Sequence, residues 1–264
     1  MLTRWRQHPL IYVVMHPKET AGGRFCRCIW REGKNVTFKE KFYQNFIEDD
    51  RYMYLVNGLK NTLLITFFAL LIGVALGFIV AMIRTTHDKT GKMKLLNILC
   101  KLYLTVIRGT PVMVQLLIIY YVVFATARID KLVVACLAFG INSGAYVAEI
   151  IRSGIMSIDN GQMEAGRSLG LSYGKTMLYI IAPQAFKNIL PALANEFIVL
   201  LKETSVSGYI GTTDLTRGGD VIRSVTYEAF LPLITVALIY LVLVLILTAG
   251  VSKLERRLRT NERK

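Results

Sequence analysis

The chain has 264 residues, 53% of them hydrophobic, with a formal net charge of +14 and a mean hydropathy of +0.45. That balance suits one membrane domain better than a soluble enzyme of the same size. The basic surplus does not point to nucleic acid, because the cations cluster beside apolar runs and no aromatic-interleaved basic module occurs; membrane lipid headgroups are the expected anionic neighbours.

Residues 1–37 are a basic extension rich in Arg and Lys, without a repeating apolar face. They are read as a juxtamembrane tail, as a disordered segment, or as sequence upstream of the true start. Residues 38–264 are expected to form the membrane domain. Residues 38–57 look like an amphipathic lead-in, with Phe38, Phe42, Tyr43 and Phe46 placed for a bilayer boundary.

Asn61 to Ile83 follows, 23 residues without a charge, enough to cross the hydrocarbon with some tilt. Gly73 and Gly77 in it have the spacing that permits close helix packing. After a basic loop and the run Leu95 to Ile107, interrupted by Lys101, the second span is expected in the uncharged run Gly109 to Ala127, which Pro111 should kink or restart. A third span, Leu132 to Ala148, carries Asn142, Ser143 and Tyr146 and ends at Glu149. A fourth is expected from about Asn188 to Leu201, a polar loop over 202–228, and a fifth from Ala229 to Ser252. The fold class is therefore all-α, with five transmembrane helices.

Lys and Arg number four, four and six in 84–94, 152–187 and 253–264, against two in 128–131 and three in 202–228. The positive-inside rule makes the first group cytoplasmic and puts the N-terminus outside. Ten Lys and Arg in residues 1–51 conflict with that assignment, a conflict that a shorter N-terminus would remove.

Between the third and fourth spans lies a polar, glycine-punctuated segment, Gln162 to Pro183. Asp159 with Gln162 suits a capping box; Gly170 should end the helix carrying Glu164, Ala165 and Arg167; and Ser172 should cap a second helix that Ala182-Pro183 stops. From spacing alone it is either a docking knob or an ordinary solvated loop. Gly170-x-x-x-Gly174-Lys175-Thr176 falls one residue short of a phosphate-binding loop and follows no strand.

The segment resembles the EAA loop of bacterial ABC-transporter permeases. Glu164, Ala165, Gly170, Ile180 and Pro183 fall in register, while Gly166 replaces the third Ala of that pattern and Ala182 its Leu. Arg108-Gly109-Thr110-Pro111, Gly144-Ala145-Tyr146-Val147-Ala148-Glu149 with Arg152, and Pro183-Gln184-Ala185 extend the similarity to the polar amino acid uptake permeases of the histidine, arginine and glutamine type. The resemblance implies the type I ABC importer fold, with the loop as coupling helix (Glu164, Ala165, Gly166, Arg167, Gly170) in a groove of an ATP-binding cassette subunit. It further implies a second permease subunit, identical or homologous, and an extracytoplasmic solute-binding protein that delivers an amino acid to the 202–228 side of the cell membrane.

Glu196, a carboxylate in an apolar span, is read either as a substrate-pathway residue for the ammonium or cationic side chain of an amino acid, or as half of an internal ion pair. Gln115 and Asn142 are weaker pathway candidates. Glu149 and Arg152 suit a helix pair or gate. Arg108 either anchors at the interface or pairs within the bundle. The four cysteines, at 26, 28, 100 and 136, lack zinc spacing, and the three histidines sit in exposed-looking segments. Free thiols are expected, with a Cys26–Cys28 bridge the minor alternative; no catalysis, metal or cofactor is expected in this subunit. A self-sufficient ion-coupled carrier or channel is the alternative function, and an exporter subunit a third.

Overall fold

The computed structural model describes residues 37–260; what was expected of residues 1–36, Cys26 and Cys28 included, lies outside them. All regular elements among the described residues are helices: α1 Phe38–Phe42, α2 Tyr52–Thr90, α3 Lys94–Gly109, α4 Val112–Ile118, α5 Lys131–Met156, α6 Asn160–Ser168, α7 Tyr173–Thr176, α8 Ala182–Glu203, α9 Leu215–Thr226 and α10 Phe230–Thr260. Helices α2, α5 and α10 are each long and apolar enough to cross a membrane, and the broken pair of α3 and α4 qualifies as a fourth crossing.

Helix α5 is the axis of the bundle. Of its apolar window 72% is buried, against 28% for α2 and 17% for α10. Lipid tails are as apolar as leucine, so burial alone gives these helices little reason to associate, and close backbone approach must do so. The sequence provides it: a Cβ on Gly77 would come within 2.6 Å of Val147 Cγ1, and one on Gly73 within 2.8 Å of Ser143 Oγ. The main core cluster, with Ile65, Leu116, Phe139 and Leu200 fully buried, ties α2, α4, α5 and α8 together. Tyr103 fastens α3 to α5 by donating its hydroxyl to the Ile141 carbonyl at 2.5 Å.

The run expected as the second span is not one straight helix. Thr110, ahead of Pro111, is forced into extended backbone (φ −122°, ψ 148°), and α4 restarts at a bend of 110° to α3. Helices α3 and α4, the latter continued by a wide turn through Val123, together make up the one bent candidate crossing among the described residues. Gln115 holds the break together: its side-chain amide donates to the Ile107 and Thr110 carbonyls at 2.7 and 3.0 Å, carbonyls that the interruption left without helical partners.

Three further expectations change. The fourth span, expected from about Asn188, lies within a longer helix, α8, which is not among the helices long and apolar enough to cross a membrane, so three crossings among the described residues, or four with the broken pair, stand where five were expected. Helix α8 begins directly behind a wide turn at Met177–Ile181, and Pro183 does not stop it, because a proline in the first turn gives up only an N–H that has no acceptor there. Segment 202–228 is not a plain polar loop. It forms a tight helical turn, Thr204–Ile210, and then α9, which lies close against α2, where a Cβ on Gly58 would come within 2.6 Å of the Asp214 carbonyl. His87 is half-buried rather than exposed, 3.0 Å from the Asn97 side-chain amide across the α2–α3 turn.

Helix α2 runs 39 residues, about 58 Å, and so projects well beyond a hydrocarbon layer of about 30 Å. Its far end, the α2–α3 turn and α6 lie at one end of the bundle, and α9 lies at the other.

Candidate functional site

The sequence signals around Gln162 to Pro183 fold as local physics dictates. The Asp159 side chain caps α6 by accepting from the Gly161 N–H at 2.6 Å. At the other end Gly170 takes φ +81°, with bonds from Gly170 N to the Arg167 carbonyl and from Leu171 N to the Gly166 carbonyl, the paired closure of a glycine-stopped helix. Ser172 then caps α7. Helix α6 packs back on the following turn through Gly166, the one buried residue of the helix: a Cβ there would come within 2.5 Å of Thr176 Cγ2. Replacing alanine by glycine at this position therefore does not loosen the knob; Thr176 occupies the space of the missing methyl.

What remains outward is a small exposed surface. Glu164, Ala165 and Arg167 are exposed, and Leu169 and Tyr179 are 81% and 69% exposed. These two apolar side chains stand open beside a charged, tightly capped helix.

Inside the bundle, polar residues gather along α5. Glu196 on α8 is only 8% exposed and accepts from the Ser143 hydroxyl at 2.8 Å; among the described residues no ion pair reaches it, so neither Lys202 nor an arginine neutralises it. One residue earlier, Asn142 donates to the Gln115 side-chain carbonyl at 3.0 Å, while its own Oδ1 is buried without a hydrogen-bond partner. Gln115, spent on the α3–α4 break, thus orients Asn142. Glu203, seven residues beyond Glu196 and on the same face of α8, is within its electrostatic reach. Glu203 did not stand out in the sequence, because it falls next to Lys202 just past an apolar run and looks like an ordinary helix end.

Toward the α6 end, Glu149 gathers three guanidinium groups. Arg152 bonds its Oε1 through two nitrogens, Arg84 Nη1 lies 3.3 Å from Oε2, and Arg108 Nη1 lies 3.9 Å from the same oxygen. The Glu149–Arg152 helix pair is present, and Arg108 turns into the bundle, its guanidinium 5.7 Å above the Tyr146 ring. Asn142, Tyr146, Glu149 and Arg152 share one face of α5, so a polar line about 15 Å long leads from the middle of the helix to the end that carries α6.

A multi-pass helical bundle with a line of polar residues along its central helix has the make-up of a membrane transport component. The chain belongs to the family described as binding-protein-dependent transport system inner membrane component, whose model matches residues 73–260. It is 40% identical to the arginine transport system permease protein ArtQ of Bacillus subtilis (strain 168), over 79% of this chain and 94% of that protein. It is 38% identical to the glutamine transport system permease protein GlnP of Escherichia coli (strain K12), over 78% and 93%. Among solved structures, an amino acid ABC transporter crystallised with histidines matches at 45% identity and a TM-score of 0.73, covering 80% of this chain and 98% of that one. A methionine ABC transporter, MetNI, in an inward-facing form shares the fold at 20% identity and a TM-score of 0.68. The protein is thus a membrane subunit of an ABC importer, and these relatives lend no support to a self-sufficient carrier or channel.

Proposed function

We propose that the subunit forms the pathway of an ATP-driven importer for polar amino acids, cationic ones preferred. The observation that carries the reading is Glu196, a nearly buried carboxylate inside the bundle with a hydroxyl but, among the described residues, no cation beside it. A carboxylate so placed is costly unless a cation visits it. Glu203 on the same face adds a second negative charge, and the unpartnered Asn142 Oδ1 offers an acceptor to an ammonium group. An arginine permease and a glutamine permease among the relatives support the same substrate class.

In this reading α6, through Glu164, Ala165, Gly166 and Arg167 with its stop at Gly170, docks in a groove of an ATP-binding cassette subunit. Hydrolysis occurs there and none in this chain. A second permease subunit, identical or homologous, completes the pathway; an extracytoplasmic binding protein delivers substrate at the α9 face; and the C-terminus is cytoplasmic, the N-terminus outside.

Competition in a reconstituted uptake assay tests the substrate assignment. With labelled arginine, unlabelled lysine and histidine should compete strongly, glutamine weakly and glutamate not at all. Glutamate as the strongest competitor would overturn it.

A further inference from the structure

We propose that the cleft between α2, α3 and α5 is a phosphate oxyanion site that takes the headgroup of an acidic lipid. The cleft, about 610 Å³, is lined by Arg84, Lys101, Thr105, Arg108, Tyr146 and Glu149. Glu149 is its one carboxylate, and both oxygens of that group are already engaged by arginines. Asp88, on the far side, is within electrostatic reach of Arg152. Arg84, Lys101, Arg108 and Arg152 therefore face two carboxylates, which leaves two positive charges uncompensated.

The surplus lies where a ligand reaches it. Arg108 is held to Glu149 only at 3.9 Å, with 45% of its side chain exposed. Arg84 lines the cleft from α2 and is paired with Glu149 at 3.3 Å. Arginine matches the oxygens of a phosphate through its planar fork, and Arg108 has its guanidinium open to the cleft. Thr105 and Lys101, on the same face of α3 as Arg108, add a hydroxyl and an ammonium to the lining.

Position favours a lipid as the source. Arg84 is the first charge after the uncharged run that ends at Ile83, which puts it at the edge of the hydrocarbon layer. Beside Lys101 and Thr105, helix α3 exposes Ile98, Leu102 and Val106, an apolar strip along which acyl chains can lie. Lipid phosphates occur at this depth, and basic pockets between membrane helices are how proteins hold them.

The test is retention of phosphatidylglycerol by the assembled transporter in vesicles of phosphatidylcholine with and without phosphatidylglycerol, read by native mass spectrometry and independent of transport. Each cation at such a surface is worth about a fivefold change in binding, so Lys101→Gln and Arg108→Gln should each lower retention about fivefold, while Lys253→Gln, outside the cleft, should not. Melting of each variant beside the parent identifies any that fails to fold, and Lys101→Gln, at an exposed position, keeps the test available if Arg108→Gln unfolds. Adding inorganic phosphate separates the sources: retention unchanged by phosphate assigns the cleft to lipid, and displacement by phosphate shows an oxyanion site that also takes the free ion. Equal retention of phosphatidylcholine and phosphatidylglycerol, or a loss with Lys253→Gln as large as with Lys101→Gln, would overturn the proposal.

Discussion

The Ser143 hydroxyl on α5 donates to the Glu196 carboxylate on α8 across 2.8 Å, and Glu196 has no cation near it among the described residues. Glutamine at 196 keeps an oxygen for Ser143 and loses only the charge. Glu196→Gln should therefore assemble normally yet lower arginine uptake between about tenfold and a hundredfold, the worth of a hydrogen bond to a charged group, with glutamine uptake changed much less. Equal losses for both amino acids in a direct uptake comparison would remove Glu196 from substrate selection.

The contact of Gly166 with Thr176 makes a second test. Gly166→Ala should cost about 1–3 kcal/mol, because the new methyl falls on Thr176 Cγ2, and Thr176→Ser, which removes that methyl while keeping the hydroxyl, should recover most of the loss. Thermal melting of the two single variants and the double variant reads the coupling; additive effects would show that Gly166 is not held by Thr176.

Close helix approach is tested at Gly77. A valine there meets Val147 and the α5 backbone and should reduce folded yield sharply, whereas Gly174→Ala, with open space around it, should leave yield and melting within about 0.5 kcal/mol of the parent. Comparable losses at both sites would mean that the α2–α5 contact contributes no more than an exposed turn.

At the opposite end, Asp214 caps α9 by accepting from the Thr216 N–H at 3.0 Å while wholly buried. Burial pushes its carboxyl above the usual range, against the lowering effect of backbone hydrogen bonds. The folded state then favours the protonated form. Its stabilising contribution is fully present below the unfolded value of about 3.9 and is lost as pH rises through the raised value. Asp214→Asn should therefore flatten the pH dependence of melting above about pH 4, and an unchanged profile would contradict the assignment.

Much of the α6–α7 segment was legible in the sequence because its signals are local. Asp159 and Ser172 cap, Gly170 stops, and each acts within a few residues of itself. The crossings α2, α5 and α10 were legible from uncharged length. What could not be read is set by approach between distant segments: Glu149 meets Arg84 and Arg108 only after α2, α3 and α5 pack, and α9 lies against α2 only because Gly58 admits the Asp214 carbonyl. Pro111 announced a break, but a proline carries no information on the 110° direction the chain takes afterwards. Gln115 and Asn142 showed as polar groups in apolar runs, but that the first braces the break and orients the second depends on contacts made only after α3, α4 and α5 pack.

The most direct test of energy supply through α6 is labelled arginine uptake in liposomes holding this subunit with its ATP-binding and solute-binding partners, with and without ATP, in the parent and in Glu164→Ala. Uptake should require ATP, and Glu164→Ala should abolish most of it while hydrolysis by the ATP-binding subunit persists. Uptake that proceeds without ATP, or is untouched by the substitution, would contradict coupling through α6.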